Sequence, residues 1–141
     1  MILLDTDHLT ILANVRASGH AALTARMHAS SEGRFGIPVV SVEEQCRGWL
    51  AQLNRHSDVH KQLPAYDRLA KLFDFLCEWE IVPFDTRSAD RFKQLKKQRI
   101  RVGTQDLKIA CIALVHGALL LSANLRDYHR VPGLLVENWL E

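Results

Sequence analysis

Short runs of consecutive apolar residues alternate along the chain with longer stretches in which apolar positions recur every three or four residues. The short runs, at residues 2–5, 35–40, 81–84, 118–122 and 134–136, predict strands. Gly36 and Pro38 weaken the second of these. Val42, Cys46, Trp49, Leu50 and Leu53 form an apolar stripe at helical spacing, and so do Tyr66, Leu69, Phe73 and Leu76. Ala89, Phe92 and Leu95 form a narrower stripe. Ile109, Ala110, Ala113 and Leu114 form another, which Gly117 stops.

Strands that are apolar throughout, and not at every second position, are buried on both faces. Alternation of such strands with helices predicts an α/β fold of three layers, with a mostly parallel sheet between helices. Ligands of such sheets bind beyond the carboxyl ends of the strands. Chemistry is therefore sought at residues that follow a strand.

Carboxylates occupy those places. Asp5 ends the first strand and Asp7 follows it. Glu43 and Glu44 follow the second strand and open a helix. Asp106 stands at the start of the Ile109/Ala110 helix, and Asp127 comes shortly after the fourth strand. Each acid has a structural alternative. Asp5 and Asp7 suit a helix N-cap or a turn. Ser41 and Glu44 have the spacing of a capping box. Asp106 complements the positive end of its helix, and Asp127 suits a solvated loop. Together they suggest more, because clustered carboxylates raise one another's pKa and a fold accommodates them best around a cation. Oxygen ligands of this kind select Mg²⁺, or Mn²⁺ in its place.

The chain has 141 residues and is 48% hydrophobic, enough for one domain over residues 1–141 with a single core. No repeat or low-complexity linker divides it. No apolar run reaches the roughly 18 residues that span a bilayer. It opens Met1-Ile2-Leu3-Leu4-Asp5 without a signal-peptide pattern, which predicts a cytoplasmic protein without a membrane partner. Cys46, Cys77 and Cys111 are odd in number and far apart, as free thiols of a reducing compartment would be. The net charge of +2 identifies no partner, but its distribution is uneven. Residues 87–101 hold Arg87, Arg91, Lys93, Lys96, Lys97, Arg99 and Arg101 just before Asp106, either a solvated helix face or a contact for RNA backbone. His56 and His60 have the spacing of a zinc pair but lack a third ligand.

Four short segments carry a resemblance in order. Leu3-Leu4-Asp5-Thr6-Asp7 resembles the opening strand of PIN domains, especially the VapC ribonuclease toxins. Ser41-Val42-Glu43-Glu44-Gln45-Cys46-Arg47-Gly48 is similar to their second acidic motif and assigns the role to Glu44, not Glu43. Asp106-Leu107-Lys108-Ile109-Ala110 resembles their third. Leu121 to Tyr128, with Val131-Pro132-Gly133-Leu134 and Glu137-Asn138-Trp139, resembles their C-terminal segment. Two positions depart from the pattern: many relatives carry Asn at the place of Asp7 and Asp at the place of Asn124.

The resemblance implies Mg²⁺-dependent hydrolysis of RNA by a toxin with a small antitoxin partner and a homodimeric state. Asp5 and Asp106 would hold the metal, with Glu44 and Asp127 acting partly through water. Thr6, Asp7, Ser122 and Asn124 would support them, and Lys93, Lys96, Lys97, Arg99, Arg101 and Arg126 would contact RNA. Two other readings stand beside this one. A PIN scaffold without catalysis would only bind RNA or protein. A haloacid-dehalogenase-like phosphatase would use Asp5-Thr6-Asp7 as its strand-end motif, although Leu121-Ser122-Ala123-Asn124 lacks that family's later acidic motif.

Overall fold

The computed structural model describes Met1–Glu141 throughout. Its strands are β1 (Ile2–Leu4), β2 (Phe35–Pro38), β3 (Glu80–Val82), β4 (Leu119–Leu121) and β5 (Leu135–Glu137). Its helices are α1 (Thr6–Leu12), α2 (His20–Ala29), α3 (Val39–Asn54), α4 (Val59–Leu76), α5 (Thr86–Lys97), α6 (Thr104–His116) and α7 (Leu125–Tyr128). The five strands form one sheet in the order β3-β2-β1-β4-β5, and every neighbouring pair is parallel. The sheet is thus wholly, not mostly, parallel. From β1 the chain first builds toward β3 and then crosses to β4 on the other side. The order reverses between β1 and β4, which is where a parallel sheet leaves a crevice at its carboxyl edge.

Helices cover both faces of the sheet. Leu3 and Leu120 pack beneath α5 and α6 in the largest apolar cluster, with Leu107, Ile109 and Ile112. Ile2, Leu4 and Leu121 point the other way, onto Leu12 of α1 and Leu23 and Met27 of α2. Leu9, Ile37, Leu72 and Leu76 extend that second layer under α4. Helix α3 reaches both layers, since Val40 joins the first and Trp49 packs against the second.

The two residues that weaken β2 in the sequence are accounted for by packing. A Cβ at Gly36 would lie 2.9 Å from Val82 Cγ2 and 3.2 Å from Leu3 Cδ2, so only glycine lets the flanking side chains meet over this strand. Pro38 is the last strand residue, and its φ of −57° leads directly into α3. The strand therefore ends two residues earlier than its apolar run. Helices α1 and α2 have no clear apolar stripe in the sequence. Helix α1 is only seven residues long, and α2 buries only Leu23 and Met27. No helix is long and apolar enough to cross a membrane.

Candidate metal centre

The backbone brings the acids to one edge. Asp5 directly follows β1, where its N–H donates to Leu121 O at 2.9 Å and prolongs the pairing with β4. Helix α3 follows β2, so Glu44 projects from its second turn. Helix α6 runs back against the strands and starts at the same edge, with Asp106 in its first turn. Carboxylate oxygens of Asp5, Glu44 and Asp106 all lie within 4.8 Å of one another. Asp5 is buried, and the other two are half-buried.

Short hydrogen bonds fix these side chains. Asp5 Oδ1 accepts from the Thr6 N–H at 2.7 Å, and Asp5 Oδ2 accepts from the Ser122 hydroxyl at 2.7 Å. The Thr6 hydroxyl donates to Glu44 Oε1 at 3.0 Å. The amide of Asn124 donates to both Asp106 Oδ2 and Asp127 Oδ2, at 3.2 Å each. Asp127 therefore stands outside the group of three and is joined to it through Asn124. Arg130 lies 3.4 Å from Asp127 on its outer side.

Asp5 does cap α1, since its side chain accepts from the Thr6 N–H, yet its other oxygen faces Ser122. The capping-box alternative for Ser41 and Glu44 fails. Helix α3 begins at Val39, so Ser41 already lies inside its first turn, and its hydroxyl donates to Leu4 O at 3.3 Å. Glu44 reaches across to α1 and caps nothing. Its neighbour Glu43 faces elsewhere, bound to Arg47 and to Gln105 Nε2.

The electrostatics are those of a site short of positive charge. Burial pushes up the pKa of Asp5; the Ser122 hydrogen bond opposes this, and the charge of Asp7 adds to it. Glu44 is raised by burial against the Thr6 hydrogen bond, with the charges of Asp5 and Asp106 adding to the rise. Asp106 is raised by burial against the Asn124 hydrogen bond, with Asp127 and Asp7 contributing repulsion. Asp7 behaves in the opposite way. Burial disfavours its charge, but His8 and the Ala123 N–H outweigh that and hold its pKa low. It is a braced structural acid whose carboxylate ties α1 to the turn after β4.

Two residues that the sequence did not single out complete the setting. His8 is fully buried. Its Nε2 accepts from the Trp139 N–H at 3.1 Å, which leaves Nδ1 as the donor to Asp7 Oδ1 at 2.6 Å. One imidazole thus links Asp7 to the C-terminal segment. Tyr128 is also fully buried, and its hydroxyl lies against Asp5 and Asp106 in a geometry that completes no hydrogen bond to either. Burial and the charges of Asp5 and Asp106 push the phenol pKa up. Tyr128 follows Asp127 in a four-residue helix too short for any periodicity, so only its place next to a candidate acid marked it.

The donor set fits a small divalent cation. Three carboxylates with raised pKa values converge on one point, and a neutral hydroxyl without a partner stands behind them. A cation there would offset the repulsion and draw hard oxygen ligands from α3, α6 and the end of β1.

The basic residues have no such convergence. Lys93, Lys96 and Lys97 are exposed on α5, with Lys96 Nζ 5.6 Å from the Phe92 ring, and α5 packs along α6. Arg99, Arg101 and Arg126 are exposed too, and Arg101 O accepts from Arg130 Nη1 at 2.9 Å. His56 and His60 are both exposed and gain no third ligand. Cys46, Cys77 and Cys111 are free, and burial pushes the Cys111 thiol up to about 11.

The family model of the PIN domain matches residues 2–134. The chain belongs to the PIN-domain family. The phosphatase alternative therefore falls, and Asp7 is bound to His8 and Ala123 in this PIN domain. It is 36% identical over 76 residues to Ribonuclease VapC2 of Haemophilus influenzae, covering 51% of this chain and 58% of that protein. It is 31% identical over 83 residues to the tRNA(fMet)-specific endonuclease VapC of Salmonella typhimurium, covering 56% of this chain and 63% of that one. The chain thus spans little more than half the length of these curated relatives. The solved structure of VapBC2 from Rickettsia felis bound to a promoter DNA fragment superposes with a TM-score of 0.72 and 23% identity, over 99% of both chains. That likeness establishes the fold.

Proposed function

We propose that this PIN domain, one unit over residues 1–141, is a Mg²⁺-dependent endoribonuclease and the toxin of a type II toxin–antitoxin pair. The observation that carries this reading is the convergence of Asp5, Glu44 and Asp106 to within 4.8 Å at the sheet's carboxyl edge. The names of its relatives, VapC ribonucleases and a VapBC complex, support the substrate class and a small antitoxin partner. A homodimer, a cytoplasmic setting and Mn²⁺ as a substitute belong to the same proposal.

Asp5 and Asp106 would hold the cation, Asp5 rigidly because Thr6 and Ser122 bind both of its oxygens. Mg²⁺ bound there supplies Lewis-acid stabilisation of the charge that develops on the phosphodiester and makes the attacking water more acidic. Glu44 is held by Thr6, and its raised pKa suits it to accept that water's proton. Water's oxygen joins phosphorus as the bond to one ribose oxygen breaks, and the proton taken up by Glu44 passes through solvent to that leaving oxygen, which restores the carboxylate. Asn124 aligns Asp106 and links it to Asp127 at the rim. Asp7 keeps the turn carrying Ser122 and Asn124 in place. Lys93, Lys96, Lys97, Arg99, Arg101 and Arg126 contact phosphates away from the scissile bond, where charge adds affinity without sequence readout.

The test is cleavage of RNA by purified protein with Mg²⁺, with Mn²⁺ and with excess EDTA. Cleavage with either ion and none with chelator is expected. Undiminished cleavage in EDTA overturns the metal assignment, and binding of RNA without cleavage identifies a silent scaffold.

A further inference from the structure

Beside the acids, a cleft of about 610 Å³ runs between α3 and α4. Gln45, Trp49, Gln52, Lys61, Arg68 and Lys71 line it, and no carboxylate does. A smaller recess of about 280 Å³ shares Gln45, Trp49 and Gln52 with the cleft and has Glu44 in its wall. Through these shared residues the two connect Glu44, past one aromatic face and two amides, to the exposed cations Lys61, Arg68 and Lys71. Lys71 pairs with Asp67 at 2.8 Å, whereas Lys61 and Arg68 are exposed and make no ion pair.

We infer that this cleft is the track for the single-stranded RNA flanking the scissile bond, with Lys61 and Arg68 on its phosphates and Trp49 against a base. The inference rests on the ribonuclease reading and extends it to a surface remote from the basic residues of α5. Charge and continuity carry it. A phosphate chain is attracted to the cationic end and needs a cation only where it crosses Glu44, Asp5 and Asp106. An acidic peptide would suit the cationic end equally well, but it would gain nothing from ending at three carboxylates. Single-strand binders combine these same elements, a cationic groove and an aromatic face on which any base can stack. The half-buried Trp49 meets that requirement, since it packs on the core and also borders the cleft.

The test compares the parent protein with the double variant Lys61→Ala/Arg68→Ala. Its probe is a short labelled single-stranded RNA of mixed sequence, and anisotropy is read in chelator so that nothing is cut. Loss of two phosphate contacts should weaken binding about tenfold and flatten the log–log salt dependence by about 1.4 units. Thermal stability should stay at the parent's value because both side chains are exposed. RNA should quench tryptophan fluorescence in the parent and much less in Trp49→Phe. Unchanged affinity and slope in the double variant, with the parent still cleaving RNA, overturns the track and leaves the ribonuclease reading intact. A double variant that loses binding to a glutamate-rich peptide but not to RNA makes the cleft a protein-docking groove and also overturns the track. A parent that neither binds nor cleaves RNA overturns both readings.

Discussion

Replacing Asp106 with Asn separates a metal ligand from a helix-end charge. The carboxylates of Asp5, Glu44 and Asp106 approach within 4.8 Å. Two like charges at that distance repel by about 3.5 kcal/mol at an effective dielectric constant of about 20. Asp106 and Glu44 are half-buried, so solvent screens much of this. The substitution also gives up about 0.3–1 kcal/mol of favourable interaction with the N-terminus of α6. Asn at 106 keeps an oxygen for the Asn124 amide, so that hydrogen bond survives. The expected balance is a gain of about 0.5–2 kcal/mol in the metal-free protein at neutral pH, a rise of a few degrees in Tm.

The pH dependence has a definite sign. The native pKa of Asp106 lies above the 3.8 of an ordinary aspartate. The folded state therefore favours the protonated acid, and the stability associated with it is full below that value and lost as pH rises through the native pKa. The advantage of Asp106→Asn should thus be largest near neutrality and shrink toward pH 4. Mg²⁺ at ten times its Kd should stabilise the parent by roughly 1.4 kcal/mol, and the variant should lose most of that response. Thermal melts of both proteins between pH 4 and neutrality, in chelator and in Mg²⁺, measure all of this. A lower apo Tm with an undiminished metal response would refute the reasoning and leave Asp106 as a charge that complements its helix.

Glu44→Gln should cut RNA cleavage at least tenfold while the protein stays folded by circular dichroism, because Glu44 faces the other acids. Glu43→Gln should be nearly neutral in the same assay, since Glu43 binds Arg47 and Gln105; the reverse ranking would move the site by one residue. Tyr128→Phe removes a buried hydroxyl without a hydrogen-bond partner, so the apo Tm should hold or rise slightly. A drop in apo Tm would show that the hydroxyl is hydrogen-bonded in the folded protein. Lys96→Ala/Lys97→Ala should weaken RNA binding and flatten its salt slope; an unchanged slope returns α5 to a solvated face.

The α/β class and the carboxyl-edge location of the acids were legible in the sequence because they depend on local regularities. Strands β1 and β4 are apolar at every position, which only a sheet covered on both faces rewards. Asp5 follows a strand and caps a helix, and Asp106 stands in the first turn of one, so each signal lies within a few residues. The short runs marked all five strands but misjudged their ends, since apolarity continues from β2 into α3 where Pro38 turns the backbone. Helix α1 was invisible because seven residues are too few to show a period, and α2 because it buries only Leu23 and Met27.

Only the tertiary structure decided between roles that share one spacing. Ser41 and Glu44 have the pattern of a cap, and whether they cap depends on where α3 starts and on Thr6, which stands 38 positions before Glu44. Asp7 and Asp127 look equivalent to Asp5 and Asp106 along the chain. In space, His8 and the Ala123 N–H draw Asp7 away, and Asn124 stands between Asp127 and Asp106. His8 and Tyr128 carried no signal, because a buried polar group is defined by what surrounds it, and those neighbours come from β1, α6 and the C-terminal segment. The sequence by itself determined which elements form and which acids end them. The packing of those elements decided which carboxylate oxygens meet, because carboxylate repulsion and hydrogen bonding act over a few ångströms between residues that the chain places far apart.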